Sequence, residues 1–194
     1  MIYFCVAMHC EAKPFIDYYS MKKRVDIKRF QIFTGDRARL AITGTGGVFA
    51  CCGATYLLTV YPPETGDFLF NIGAAGSEKF GAGSAVLCNR IINASNGRAF
   101  YPDMLWEHPF AEGSVASVAK PVDFTGEGFA YDLADMEAAY FFEAALFHMP
   151  VHCINSIKIV SDNGNPHLQT KESIKSQIEG LAPAIAGWIG GLRL

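Results

Sequence analysis

The chain has 194 residues, 51% of them hydrophobic and 18% charged, with a formal net charge of −3. This length and balance suit one domain with a substantial core, spanning 1–194, and exclude a disordered or low-complexity chain. The densest basic cluster is Lys22-Lys23-Arg24, which reads as a solvated helix end or loop and argues against a nucleic-acid partner, since neutralising phosphates requires clustered positive charge.

Ile2 to Met8 is a continuous apolar run, the pattern of a strand buried on both faces. No basic segment precedes it, so it reads as a strand rather than a signal peptide. His9 to Tyr19 reads as a loop and short helix. Arg29 to Thr34 and Ala38 to Thr43 read as strands joined by a Gly35-Asp36 hairpin. Gly44-Thr45-Gly46-Gly47 leads into an apolar helix from Val48 to about Val60, closed by Pro62-Pro63. Asp67 to Ile72 is a second buried strand, ending in Gly73-Ala74-Ala75-Gly76. Ser84 to Ile92 is another, and the polar, aromatic stretch from Asn93 to about Gly113 has no clear period. Ser114 to Val118 reads as a short strand, Ala134 to Phe147 as a helix and Val151 to Val160 as a last strand, stopped by Ser161-Asp162-Asn163-Gly164. Thr170 caps a helical stretch to about Ile189, with a break or kink expected from Gly180 and Pro183.

Alternating strands and helices predict an α/β fold: a three-layer α/β/α domain with a mixed, largely parallel central sheet. No apolar run approaches the ~20 residues that a membrane span needs. The six cysteines, Cys5, Cys10, Cys51, Cys52, Cys88 and Cys153, show no metal-ligand spacing. Most sit in apolar runs, which points to a reducing, cytoplasmic setting without disulfides. Neither a metal nor an organic cofactor is implied.

In such sheets ligands bind beyond the carboxyl ends of strands. Glu11, Gly44-Thr45-Gly46-Gly47, Gly73 to Gly76 and Asp162 fall there, and Glu137 falls in the first turn of a helix. Taken singly, each has an ordinary reading. The glycine turn is neither GxGxxG nor a Walker loop, Glu137 suits a helix dipole, Asp162 suits a turn, and Glu11 alone would be a surface acid. His9, His108, His148, His152 and His167 show no HxH or HExxH pattern and read as surface or structural residues. Together, carboxylates converging on a glycine-lined cleft suit cleavage of a glycosidic bond. One acid protonates the leaving group, another group activates the nucleophile, and a third can hold sugar hydroxyls.

Five segments, in order, resemble one known family. Ala7-Met8-His9-Cys10-Glu11 is similar to an AMEEE element and keeps its last Glu. Thr43-Gly44-Thr45-Gly46-Gly47-Val48 with Ala50 resembles SGxGKxxAA. Asn71-Ile72-Gly73-Ala74-Ala75-Gly76 resembles NxGSAG, Asp135-Met136-Glu137-Ala138-Ala139 resembles VxMEGAA, and Lys158-Ile159-Val160-Ser161-Asp162 resembles RxxSD. The family is the nucleoside phosphorylases and nucleosidases. The resemblance implies cleavage of the N-glycosidic bond of a purine nucleoside, a 5′-modified adenosine such as methylthioadenosine or S-adenosylhomocysteine. It implies Asp162 as general acid toward the purine with Ser161 orienting it, and Ala75 and Gly76 against the base. It places Glu137 on the ribose hydroxyls with Met136 against the sugar, Glu11 on the attacking water, and Gly44, Thr45 and Gly46 as the anion or water-pocket loop. It also implies a homodimer or higher oligomer.

The sequence departs from the family pattern at Gly47 for Lys, Ala74 for Ser, Ala138 for Gly and Lys158 for Arg. The chain is shorter than typical members, with the difference between Asn93 and Asp132. Phe124, Phe129 and Tyr131 are candidates there for an aromatic that stacks on the base. Phosphorylases of the family hold phosphate with arginines, which are missing after the first strand and at Asn71. A carboxylate at Glu11 would repel a phosphate dianion. Hydrolysis by water is the expected reaction; phosphorolysis, with phosphate as co-substrate, and non-catalytic nucleoside binding are the alternatives.

Overall fold

The apolar runs near Ile2 and Asp67 supply the middle of the sheet. The computed structural model describes residues 1–122, 124, 129–162 and 170–192. In chain order the elements are β1 (Ile2–Val6), α1 (His9–Tyr18), β2 (Lys22–Lys23), β3 (Gln31–Thr34), β4 (Ala38–Ile42), α2 (Gly47–Val60), β5 (Phe68–Gly76), β6 (Ala85–Asn93), β7 (Ala99–Phe100), β8 (Ala111–Ser117), β9 (Leu133–Asp135), α3 (Ala138–Ala145), β10 (Ile154–Asp162) and α4 (Lys171–Gly191), with a 3-10 turn at Val151–Cys153 before β10. The expected Asn163-Gly164 turn and His167 lie outside the described residues.

The sheet is mixed, and it is not the largely parallel layer that the strand–helix alternation predicts. β1 pairs in parallel with β4 and β5, and β10 with β5, but β10–β6, β3–β4 and β2–β3 are antiparallel. β5 also departs from the sequence reading, since it does not stop at Ile72. Phe68 to Asn71 pair with β1, the strand from Leu69 onward pairs with β10, and Gly76 pairs with Ala134 of β9. Since β9 pairs with β8, and β8 with β6, the circuit β5-β10-β6-β8-β9 closes on itself. The result is a barrel with β1, β4, β3 and β2 continuing from one side. Closure removes two edges; the remaining outer edge, β2, is blunted by exposed Lys22 and Lys23.

Helices cover both faces of the β1 region. Phe4 points to one face, its ring 5.5 Å from Phe15 of α1 and 6.1 Å from Phe70, which in turn lies 6.1 Å from Trp188 of α4. Tyr3, on the opposite face by strand alternation, reaches the Pro62 carbonyl just beyond α2 at 3.5 Å. α1 pairs with α4, and α2 with α3.

Three local expectations are revised. Leu133 to Asp135 form a strand, because the barrel needs a partner for β8. Glu137 is therefore the cap of α3 rather than part of its first turn. α4 runs unbroken from Lys171 to Gly191 through Gly180 and Pro183; buried Ile174, Ile178, Ala182, Ile185 and Ile189 form a continuous face against the core. Its cap is Thr170, as expected, with the hydroxyl accepting from the Ser173 N–H at 3.0 Å. Among the described residues between Asn93 and Asp132 there is no helix. No helix among the described residues is long and apolar enough to cross a membrane.

Candidate active site

The strand ends beyond β1, β5, β9 and β10 meet in a cavity of about 220 Å³. Glu11, Thr45, Ala75, Gly76, Met136, Glu137, Ser161 and Asp162 all line it. Gly44 and Gly46 do not; they shape its wall from behind. Both have left-handed φ, +94° and +102°, the region where glycine is favoured. The Gly44 N–H ties to the Ala7 carbonyl at 3.1 Å. The Gly46 N–H, expected to face an anion or water, instead donates to Glu137 Oε1 at 2.6 Å.

Glu11 lies in the first turn of α1 yet is buried. The exposed His9 and the half-buried Cys10 begin the helix, and Glu11 is its first side chain to face the core. One carboxylate oxygen accepts from the Met8 N–H at 2.9 Å and the other from the Ala74 N–H at 2.8 Å. Gly73 allows this approach, since a Cβ there would sit 3.1 Å from Glu11 Oε1. Burial drives the Glu11 pKa up to about 7; the two N–H groups and Lys158 pull it down, and Glu137 pushes it up. A carboxyl poised near neutrality in a cleft is suited to general-base work.

Glu137 is also buried and raised above the usual carboxylate range, first by desolvation and then by Asp135. Lys158 and the N–H groups of Gly46 and Met136 oppose the shift.

Asp162 reaches the cavity by a different device. The β10–β5 register shifts between Val160 and Asp162. Neighbouring strand residues normally point to opposite faces; this bulge lets both Ser161 and Asp162 line the cavity. The Ser161 hydroxyl lies 3.0 Å from Asp162 Oδ2 and 3.3 Å from the Ala75 carbonyl, and donates to one or the other. Gly76 leaves room for Asp162 and Phe124, because a Cβ there would lie 2.9 Å from Phe124 Cε2 and 3.3 Å from Asp162 Oδ1.

Of the three candidate aromatics, Phe124 lines the cavity. Phe129 stands edge-on 5.1 Å behind it, and Tyr131 lies beyond Phe129, both lining a neighbouring depression. His9, His108, His148 and His152 are not among the lining residues. Gly47 stands where the family pattern has Lys because any Cβ there would sit 2.3 Å from the Tyr140 ring.

Sequence reasoning missed Asp135, which lines the cavity, and the buried contacts of Lys158 beneath it. A signal was present: a lysine set between Ile157 and Ile159 within a strand requires a partner if that strand is buried. The described lining residues include four carboxylates, Glu11, Asp135, Glu137 and Asp162, and no lysine or arginine.

No family model and no curated protein matches the sequence, but solved structures match over its whole length. It is similar to 5′-methylthioadenosine/S-adenosylhomocysteine nucleosidase from Neisseria meningitidis in complex with methylthio-immucillin-A. There the TM-score is 0.80 and the identity 20%, over 98% of this chain and 99% of that one. It is similar to native futalosine hydrolase of Helicobacter pylori, with TM-score 0.80 and identity 13% over 98% and 97%. It is also similar to the Campylobacter jejuni 5′-methylthioadenosine/S-adenosylhomocysteine nucleosidase, with TM-score 0.79 and identity 14% over 98% and 99%. Over nearly its whole length, therefore, this chain has the fold of these nucleosidases and of futalosine hydrolase.

Proposed function

We propose that the protein hydrolyses the N-glycosidic bond of a purine nucleoside, with a 5′-modified adenosine of methylthioadenosine or S-adenosylhomocysteine type as substrate. The observation that carries this reading is the charge pattern of the cavity: four carboxylates and no cation among its described lining residues. Such a wall repels a phosphate nucleophile and stabilises the positive charge that develops on the sugar as the bond breaks. Water is the co-substrate.

In this reading Asp162 gives a proton to the departing purine while Ser161 orients its carboxyl. Ala75, Gly76 and Phe124 lie against the base. Glu137 accepts from the ribose 2′- and 3′-hydroxyls, held for that task by the Gly46 N–H, and Met136 packs on the sugar. Glu11, with a pKa near 7, takes a proton from the attacking water as its oxygen bonds to the anomeric carbon and the C–N bond breaks. The single hydrophobic cluster running through all the main elements supports one functional unit over 1–194. Exposed Val48 and Phe49 on the uncharged helix α2, 73% and 56% accessible, support a homodimer. The cysteine usage supports a cytoplasmic enzyme.

The test is base release from a panel of methylthioadenosine, S-adenosylhomocysteine, adenosine, inosine and futalosine, by the wild type and by Asp162→Asn. Release by the wild type alone, with nucleoside binding kept in the variant, is the expected result and names the substrate. Binding without release by either protein would make this a nucleoside-binding protein.

A further inference from the structure

Lys158 occupies the middle of β10 with 1% of its surface exposed. Its ammonium lies 2.6 Å from Asn71 Oδ1 and 2.7 Å from Asp135 Oδ2. Both partners are themselves held. Asn71 donates to the Cys5 carbonyl at 3.1 Å, and its oxygen also accepts from the Ser156 hydroxyl at 3.3 Å. Asp135 accepts from the Ser117 hydroxyl at 2.6 Å and from the Ala138 N–H at 2.8 Å. The network thus joins β1, β5, β10, β9, β8 and the start of α3, the elements whose ends form the cavity.

Glu11 and Glu137 receive their hydrogen bonds from backbone N–H groups, two each. Backbone dipoles fix their orientation but bring no full positive charge. Among the described residues, the one cation acting on both is Lys158. Burial opposes its charge, but Asp135 and Glu137 outweigh that effect and its pKa is raised, so it stays an ammonium ion.

We propose that Lys158, clamped by Asp135 and Asn71 beneath the cavity, is the fixed counter-charge for Glu11 and Glu137 and so a positioning residue of the site. Its side chain is absent from the cavity lining, so it acts through the carboxylates and not on substrate. The titratable groups around Glu11 are Lys158 on β10, Glu137 at the head of α3 and Cys10 beside it on α1, with Lys171 of α4 acting on Cys10. Lys158 is the one among them that favours the ionised form of Glu11. Asp135 completes the unit by holding the ammonium in place from the β9 side.

The inference rests on the nucleosidase reading, and the test separates the two. The carboxyl carbon of Glu11, identified by its loss in Glu11→Gln, is titrated by carbon NMR in the ligand-free protein. In Lys158→Met the midpoint moves up by about one pH unit, and the limb of the pH–rate profile that reports Glu11 moves with it. Removing the ammonium alone leaves Asp135 buried and unpaired, so Lys158→Met/Asp135→Asn serves if the single variant does not fold. There Glu11 rises again, while Glu137, losing both an attracting and a repelling charge, moves less than in the single variant. A Glu11 midpoint that stays at its wild-type value in either folded variant overturns the proposal. Absence of base release by the wild type overturns the nucleosidase reading instead, and the titration still decides the role of Lys158.

Discussion

The two ends of the cavity are built in different ways. At one end Glu11 and Glu137 are buried, gripped by backbone N–H groups from four separate loops and strand ends, and underlain by the Lys158–Asp135–Asn71 network. At the other, Asp162 is half-buried at a bulged strand end, with a serine hydroxyl beside it and Phe124 packed near Gly76. The first end is held by backbone groups that follow β1, β4 and β9 and by one within β5, and it cannot shift without moving several strands. The second depends on a strand terminus and one aromatic ring. The groups proposed to handle water and sugar are therefore fixed by the fold, while those proposed to handle the base can vary with little disturbance to the core.

Substitutions at each end sharpen this contrast. Asp162→Asn is expected to lower kcat by on the order of 10²–10⁴-fold, with the affinity for a nucleoside, measured by calorimetry, retained. Glu11→Gln lowers kcat in the same range and also abolishes the limb of the pH–rate profile near neutrality.

Glu11 further links to stability. Its carboxyl titrates near 4.5 when unperturbed and at about 7 when folded, so between those values the folded state holds the proton that the unfolded state has lost. A raised carboxylate pKa has the opposite sign to the usual salt-bridged acid. The wild type loses stability as pH rises from about 4.5 to about 7, by a sum on the order of 3 kcal/mol. In Glu11→Gln that slope becomes shallower in denaturant midpoints measured across the interval, and the raised carboxyl of Glu137 supplies what remains.

Gly76→Ala crowds Phe124 and Asp162 and is expected to cost about 1–3 kcal/mol as an overpacked contact, read as a lower midpoint together with a raised KM. Phe124→Ala has the smallest effect. Losing one stacking partner raises KM about tenfold and leaves kcat nearly unchanged. A large kcat loss there would mean that the ring also positions Asp162.

Much of this organisation is legible in the sequence. Apolar runs without alternation gave β1 and β5, the glycine turn before Val48 gave the start of α2, and the acids at strand ends gave the cavity. What escaped did so for physical reasons. Gly73-Ala74-Ala75-Gly76 looks like a strand terminator, because glycine is weak in strands. Here the small residues let β5 continue where Glu11, Phe124 and Asp162 approach its backbone, and that continuation closes the barrel. Leu133-Ala134-Asp135 has helix-compatible composition and becomes a strand only through its partners β8 and β5. The bulge before Asp162 leaves no mark in residue type. Asp135 was hidden by its neighbour Glu137, and only the burial of Lys158 two strands away reveals what it does.

The most direct test is the identity of the sugar product. Base release is followed in phosphate buffer on the best nucleoside of the panel while phosphorus NMR monitors the solution. The carboxylate-lined, cation-free cavity predicts release at the same rate with and without phosphate and free sugar as the product, with no new phosphorus signal. Appearance of a sugar 1-phosphate, at a rate that depends on phosphate, would contradict hydrolysis and require an anion site that this cavity does not contain among its described residues.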